Sequence, residues 1–139
     1  MAMQCMQLPL GQAESPCFVV VLSRYRGRIL LSRHARRRTW ETQGGHIEPG
    51  ESPEQAARRE LWEESGALDY VLRPLFDYWA GEDGEGKTGV VFLAEVDRLG
   101  PLPASEMAEV CEFDALPDTL TYPAITPQLF AWARQMGAL

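Results

Sequence analysis

Residues 44–66 constrain this chain more than any other stretch, because they join a glycine pair to a strongly marked helix. Ser52 is a good N-cap, Pro53 suits the first helical position, and Gln55 stands three residues after the cap, as in a capping box. Gly66 ends the segment. The glycine pair at its start allows a positive φ or a close backbone approach. The sequence therefore predicts a tight glycine turn next to a capped helix.

Three carboxylates share one face of that helix. Glu60, Glu63 and Glu64 stand at i, i+3 and i+4, so their side chains form a single stripe. Like charges this close repel by a few tenths of a kcal/mol per pair unless a cation binds them. Converging carboxylates with a carbonyl oxygen are the ligands of a hard divalent cation such as Mg²⁺. A solvated acidic face is the alternative that the helix alone leaves open.

The spacing around this stripe resembles the signature of the Nudix family, G-x5-E-x7-R-E-U-x-E-E-x-G-U, where U is apolar. All fixed positions match, and they are Gly45, Glu51, Arg59, Glu60, Glu63, Glu64 and Gly66. Two positions depart from the common pattern: the small Ala67 fills the last apolar position, and Gln43 stands where many members have proline. Neither is a proposed ligand, so they bear on loop geometry and substrate choice more than on chemistry.

The resemblance implies a single domain over residues 1–139, an α+β fold of the Nudix type in which helices sandwich a mixed β-sheet, with residues 1–15 as a flexible or edge segment. It implies hydrolysis of the pyrophosphate linkage in a nucleoside diphosphate derivative, with Mg²⁺ or Mn²⁺ as cofactor. The Gly45 carbonyl and the carboxylates of Glu60, Glu63 and Glu64 would bind the metal, beside a turn through Gly44.

The remaining roles are carried over in the same way. Arg59 and Glu51 would pair and brace the turn against the helix. A glutamate would take a proton from the attacking water, and both Glu63 and Glu106 are candidates, with Glu109 as the fallback. Charge neutralisation by the cation suits an anhydride that is shielded by its own negative oxygens.

Substrate-binding residues are less constrained by the sequence. Arg33 follows a predicted strand and is expected to contact polyphosphate oxygens, while Trp40 and Tyr78 offer flat faces for a base. The basic run 36–38 is a further candidate for contacts with polyphosphate oxygens, and the alternative is that it forms a solvated loop. For Trp40 the alternative is a position in the core.

The rest of the chain is predicted to form strands and one more helix of the same α+β domain. Apolar runs predict a hairpin over 18–31, two strands over 71–79 and 90–96, and a short extended piece over 110–113. The glycine-rich stretch 81–87 predicts a mobile loop. Thr126 as cap and Pro127 as first residue predict a final helix of about ten residues.

Charge and cysteine content exclude several classes. Residues 1–40 carry a net +6 and residues 41–139 a net −13, and the overall −7 argues against broad nucleic-acid binding. Three widely spaced cysteines give no disulfide framework or zinc pattern. With no membrane span or signal peptide in the sequence, we expect a cytoplasmic protein. Its expected partner is a nucleotide or another nucleoside diphosphate-linked small molecule, and a homodimer stays open.

The leading interpretation is an enzyme that acts on a nucleoside triphosphate, including oxidised forms such as 8-oxo-dGTP, because the short chain looks most like the nucleotide-sanitising members. ADP-ribose, dinucleoside polyphosphates, nucleotide sugars and capped RNA are alternative substrates. A catalytically silent nucleotide-binding module is an alternative of another class, although such modules usually lack one of the three carboxylates. A calcium-binding EF-hand is excluded, since no D-x-[DN]-x-[DN]-G loop precedes the acids.

Overall fold

The computed structural model describes residues 3–139, and these form seven strands and two helices. In chain order the elements are β1 (Gln4–Leu8), β2 (Phe18–Tyr25), β3 (Arg28–His34), β4 (Gln43–His46), α1 (Pro53–Ser65), β5 (Ala67–Glu82), β6 (Glu85–Leu99), β7 (Met107–Phe113) and α2 (Thr126–Gln135).

One mixed sheet contains all of these strands. The order across it is β1-β5-β6-β2-β3-β7, and β2 runs parallel to β6 while the other pairs are antiparallel. β4 pairs with the first half of β2, over Phe18–Val21, and β3 pairs with its last residues, Ser23–Tyr25. The two strands therefore share one side of β2, which places the start of β4 next to β3.

The two faces of the sheet carry separate apolar cores. One contains Leu129, Phe130 and Ala133 of α2, and the other contains Ala56, Ala57 and Leu61 of α1. Each helix thus buries its apolar face on a different side of the sheet. This arrangement confirms the predicted α+β sandwich, with helices on both sides of a mixed sheet.

The predicted capping of α1 is confirmed. The Ser52 hydroxyl accepts a hydrogen bond from the Gln55 N–H at 3.1 Å, and the Gln55 side chain accepts one from the Ser52 N–H at 2.9 Å. Gly66 ends the helix with a φ of 79°. The cap predicted for α2 is wrong, because Ile125 is the N-cap and Thr126 is already helical and 3% exposed.

The mobile loop predicted over 81–87 is also wrong. β5 and β6 continue through its glycines, where Gly81 pairs with Gly86, and only Asp83 and Gly84 form the turn. Both turn residues have positive φ, at 51° and 79°, as a two-residue hairpin turn requires. A Cβ on Gly81 would lie 2.1 Å from the Glu85 carbonyl oxygen, so glycine allows the strands to close here.

One strand, β1, falls in the segment expected to be flexible or at an edge, and another, β4, has no counterpart among the predicted elements. β1 lies at an edge of the sheet, within the segment 1–15, and β4 contains the polar sequence Gln43-Gly44-Gly45-His46. Across residues 3–139, no helix is long and apolar enough to span a bilayer.

Candidate active site

The three glutamates of the stripe lie on α1, whose other side is fixed in the core. Leu61 is fully buried against the sheet. The Glu60 side chain is 12% exposed and that of Glu63 is 40% exposed, while Glu64 is half-buried. The stripe therefore runs from a nearly enclosed position to the surface.

The backbone of β4 approaches two of these carboxylates closely. The Gly44 N–H donates to Glu64 Oε1 at 2.7 Å. A Cβ on Gly45 would lie 2.8 Å from the Glu60 carboxyl group, and one on Gly44 would lie 2.3 Å from the Val19 carbonyl oxygen. Only a glycine pair lets the strand pass between β2 and the helix at this distance. The Gly45 backbone and two carboxylates are thereby brought to one place.

Arg59 ties the helix to the segment that precedes it. Its Nε donates to Glu51 Oε2 at 2.7 Å and its Nη2 to Glu51 Oε1 at 2.9 Å, a bidentate pair. Nη1 also donates to Glu60 Oε1 at 2.5 Å, and Nη2 donates to the His46 carbonyl oxygen at 3.1 Å. One guanidinium group thus connects the turn, the helix and a carboxylate of the stripe.

The surroundings of Glu60 and Glu64 favour the neutral form of each carboxyl group over the charged form, so the charged forms are strained. Burial raises the pKa of Glu64 to about 8, against the Gly44 hydrogen bond that lowers it, and the charges of Glu60, Glu41 and Glu63 raise it further. Burial also raises the pKa of Glu60, although the hydrogen bond from Arg59 lowers it. By contrast, hydrogen bonds from Arg59 hold the pKa of Glu51 at about 2. A bound cation would relieve this strain in the stripe.

A cavity of about 370 Å³ opens on the other side of the glycine pair. Its walls are mainly apolar, formed between the sheet and the start of α2. They include Phe18, Val20, Tyr78, Ala80, Ile125 and Leu129. Gly44 and Gly45 line its margin, so the same short backbone segment separates the cavity from Glu60 and Glu64.

The structure brings one of the three predicted substrate-binding side chains to this cavity. Tyr78 is 4% exposed and packs edge-on against Phe18, with ring centroids 5.3 Å apart. Trp40 does not line the cavity and packs instead on Phe113 at 5.0 Å. Arg33 does not line it either.

Arg33 is bound elsewhere by neighbours on its own side of the sheet. Its Nε donates to Glu109 Oε1 at 2.9 Å, and its Nη1 donates to the Arg37 carbonyl oxygen at 2.9 Å. Its partner Glu109 lies directly across from it on β7, and its contact with polyphosphate oxygens stays a prediction.

The two loop glutamates have different surroundings. Glu109 is occupied by Arg33, which lowers its pKa. The Glu106 side chain is 84% exposed and lies 3.4 Å from His34 Nε2. Neither belongs to the carboxylates whose charges raise the pKa of Glu60 or Glu64.

Sequence reasoning missed Glu41. This residue is 8% exposed, lines the cavity, and accepts a hydrogen bond from Arg37 at 3.1 Å. Its backbone pairs with that of Ser32, which fixes it just before β4. The sequence did contain a signal: Glu41 stands two residues before Gln43, and in an extended strand such residues lie on the same face. The glycines that follow made this strand hard to recognise.

Comparison with known proteins identifies the family. The model of the NUDIX domain matches residues 14–133. The chain belongs to the Nudix family. The resemblance to the Nudix family seen in residues 45–67 is thereby confirmed.

The relatives of this Nudix chain have names that refer to different substrates. It is 34% identical over 87 residues to YtkD of Bacillus subtilis, named as a candidate 8-oxo-dGTP diphosphatase, and the match covers 63% of this chain and 54% of YtkD. It is 45% identical over 47 residues to an RNA pyrophosphohydrolase of Photorhabdus laumondii, which covers 34% of this chain and 27% of that protein. The matched stretches thus span about half of the relatives' length or less.

Among solved structures, a mutant of the pyrophosphohydrolase BsRppH of Bacillus subtilis superposes with a TM-score of 0.80. The match covers 98% of this chain and 90% of that one, at 24% identity. At this identity the likeness shows the fold, and it confirms the Nudix architecture described above.

The Nudix family generally uses divalent metal cations, and the donor set here is of the right kind. Within residues 3–139 no group of three His, Cys, Asp or Glu side chains is already arranged around one point. Glu60 is turned to Arg59, and Glu64 to the Gly44 N–H. All available donors are nevertheless oxygens, as a hard cation prefers, and two of the carboxylates converge on the Gly44–Gly45 backbone. The residues present therefore fit a divalent cation.

Proposed function

We propose that this Nudix chain is a divalent-metal-dependent pyrophosphohydrolase that converts a nucleoside triphosphate, including oxidised forms such as 8-oxo-dGTP, to nucleoside monophosphate and pyrophosphate. One observation carries the proposal: an apolar cavity and a carboxylate cluster meet on two sides of the Gly44–Gly45 backbone. A base suits the apolar cavity, and a polyphosphate chain suits the cation-binding side.

The Gly45 carbonyl oxygen, Glu60, Glu63 and Glu64 would bind the cation. When bound, a divalent cation neutralises phosphate oxygens and activates water for attack on phosphorus. Mg²⁺ and Mn²⁺ are both suited to an all-oxygen donor set.

The chain's own groups then have defined tasks. The Gly44 N–H fixes Glu64, and Arg59 fixes Glu60 while its pair with Glu51 stabilises the preceding segment. We assign Glu63 as the base that takes a proton from the attacking water, in preference to Glu106. Glu63 is the most exposed of the stripe, and its charge acts on both Glu60 and Glu64.

The substrate proposal draws on the cavity and on the relatives' names. The cavity has room for a base, since binding pockets for small ligands begin near 300 Å³. Glu41 places a carboxylate at its wall that can accept hydrogen bonds from ring or amino N–H groups. A relative named as an RNA pyrophosphohydrolase makes the 5′-triphosphate end of RNA the second candidate.

A substrate panel tests the proposal. Canonical and oxidised nucleoside triphosphates, ADP-ribose, nucleotide sugars, diadenosine polyphosphates, capped RNA and 5′-triphosphate RNA are each incubated with Mg²⁺ or Mn²⁺. We expect pyrophosphate release to be fastest from a free nucleoside triphosphate and to stop in excess EDTA. Turnover in excess chelator, or binding without turnover of any substrate, would contradict the proposal.

We place this activity in the cytoplasm, where nucleoside triphosphates are made. The three cysteines are free thiols, which suits a reducing compartment. A homodimer remains a prediction that light scattering at micromolar concentration can test.

A further inference from the structure

Three polar side chains are buried where β2, β3 and β4 meet. Ser23, Ser32 and Gln43 are each 1% exposed or less. Buried polar groups of this kind lower stability unless every donor and acceptor is paired. Here the Ser23 hydroxyl donates to Gln43 Oε1 at 2.7 Å, and Gln43 Nε2 donates to the Ser32 hydroxyl at 2.9 Å and to the Leu30 carbonyl oxygen at 3.3 Å.

The Ser32 hydroxyl continues this chain of hydrogen bonds to the helix. It donates to the main-chain carbonyl oxygen of Glu64 at 2.7 Å. The side chain of the same Glu64 accepts the N–H of Gly44, the residue after Gln43, at 2.7 Å. Two neighbouring residues of β4 therefore hold Glu64. Gly44 binds its side chain directly, and Gln43 binds its main-chain carbonyl oxygen through the Ser32 hydroxyl.

These bonds form a closed circuit. It runs from the Glu64 carboxylate to Gly44, along the backbone to Gln43, through its amide to Ser32, and back to the Glu64 carbonyl oxygen. A circuit with two attachment points fixes both the separation and the rotation of the last helical turn relative to β4. The core holds the Leu61 side of α1, and the circuit holds its last turn at Glu64 by two bonds instead of one.

The residue types match this task. The Ser32 hydroxyl accepts one hydrogen bond and donates another, and the Gln43 amide accepts at Oε1 while Nε2 supplies two donors. Gln43 thus supplies the donor that the Ser32 hydroxyl accepts, and Ser32 supplies the donor that the Glu64 carbonyl oxygen accepts.

We propose that Ser32 and Gln43 are positioning residues that align the Glu64 carboxylate with the Gly45 backbone for cation binding. The inference rests on the proposed function, because it assigns the circuit to the same cation site. Side chains that are already oriented bind a cation more tightly. Loss of a group that hydrogen-bonds to a metal-binding side chain commonly lowers metal affinity by about 10–100-fold.

A matched pair of serine variants tests it. Ser32→Ala removes the link to Glu64, whereas Ser23→Ala removes an equally short bond at the far end of the same network. The Ser32 hydroxyl makes two hydrogen bonds and the Ser23 hydroxyl one, so urea unfolding measures the loss of stability of each variant separately. Mn²⁺ binding to the substrate-free protein, measured by calorimetry and by electron paramagnetic resonance, separates positioning from folding.

We expect Ser32→Ala to raise the Mn²⁺ dissociation constant roughly tenfold, the low end for such partners. It should also speed hydrogen exchange of the Gly44 N–H, because the Glu64 carboxylate is less well fixed. Ser23→Ala should stay close to wild type in both measurements. Equal effects of the two variants, or an unchanged dissociation constant in Ser32→Ala, would overturn the inference.

A second variant covers the case in which Ser32→Ala does not fold. Gln43→Met keeps the length of the side chain and removes the donor to Ser32, so it should weaken Mn²⁺ binding in the same direction. Wild-type protein that binds no Mn²⁺ would refute the cation site itself. Wild-type binding with unaffected Ser32→Ala and Gln43→Met would refute only the positioning role.

Discussion

The backbone of Gly45 lies so close to Glu60 that a Cβ at position 45 would be 2.8 Å from the carboxyl carbon. The φ of Gly45 is outside the left-handed region, so its backbone conformation is open to any residue. The need for glycine here comes from the carboxylate alone. The geometry of the site can therefore be disturbed without disturbing the backbone.

Gly45→Ala should remove activity while leaving the fold intact. The carboxylate is the far end of a flexible side chain, so it can move away at little cost in stability. A displacement of about 1 Å in a reacting group can cost about 100-fold in rate, and we expect kcat/KM to fall by at least that factor. Urea midpoints should stay near wild type.

The Glu60→Gln background is the control for this change. If Gly45→Ala acts by moving the Glu60 carboxylate, it should add little to the loss already caused by Glu60→Gln. Fully additive losses would show that the methyl group acts through something other than Glu60.

Glu64→Gln should make the metal-free protein more stable at alkaline pH. Burial raises the pKa of Glu64 from 4.5 to about 8. The folded state therefore binds a proton that the unfolded state has released, and wild-type stability falls between these pH values as pH rises, by at most about 1.4 kcal/mol per pH unit. Glutamine is neutral throughout, so its advantage should grow from about pH 5 and level off above pH 8.

Urea unfolding from pH 4 to pH 9 in EDTA measures this difference. Glu54→Gln, at an exposed position in the first turn of the same helix, is the control and should run parallel to wild type. Parallel profiles for Glu64→Gln and wild type would refute the raised pKa assigned to the half-buried Glu64 carboxyl group.

Glu63→Gln and Glu106→Gln separate the two candidate bases. General base catalysis contributes about 10²–10⁴-fold, so Glu63→Gln should lower kcat by that amount even at Mg²⁺ concentrations that saturate the variant and so compensate for a weakened cation ligand. Glu106 is exposed and lies beside His34, so Glu106→Gln should retain kcat within a small factor. Pyrophosphate release at saturating substrate and Mg²⁺ is the measurement. The reverse ranking would move the base to the loop before β7.

Features encoded locally could be predicted from the sequence. Ser52, Gln55 and Gly66 fix both ends of α1 through bonds to near neighbours, and the i, i+3, i+4 spacing places Glu60, Glu63 and Glu64 on one stripe whatever surrounds the helix. The hairpin predicted over 18–31 is confirmed in the same way, and its turn residues Arg26 and Gly27 both take the positive φ of a two-residue turn.

Features that depend on tertiary packing could not be predicted in this way. β4 has no apolar pattern, because its two glycines are required by the carboxylates and by Val19 rather than by strand propensity. The ion pair of Arg33 could not be predicted either, because the sequence does not show that Glu109 lies across from it. The loop predicted over 81–87 failed differently, since the Asp83-Gly84 pair is itself a hairpin signal that the surrounding glycines outweighed.

Ala80→Leu tests whether the cavity binds the base. Ala80 lines the cavity beside Tyr78, so added volume there should exclude the base without touching Glu60 or Glu64. We expect KM for a nucleoside triphosphate to rise about tenfold, equivalent to about 1.4 kcal/mol of lost binding. Inorganic tripolyphosphate, which has no base, should inhibit wild type and variant with the same Ki. Ala108→Leu, at an exposed position on β7, controls for added surface hydrophobicity. A tripolyphosphate Ki that weakens in parallel with KM would mean that the cavity binds phosphate instead.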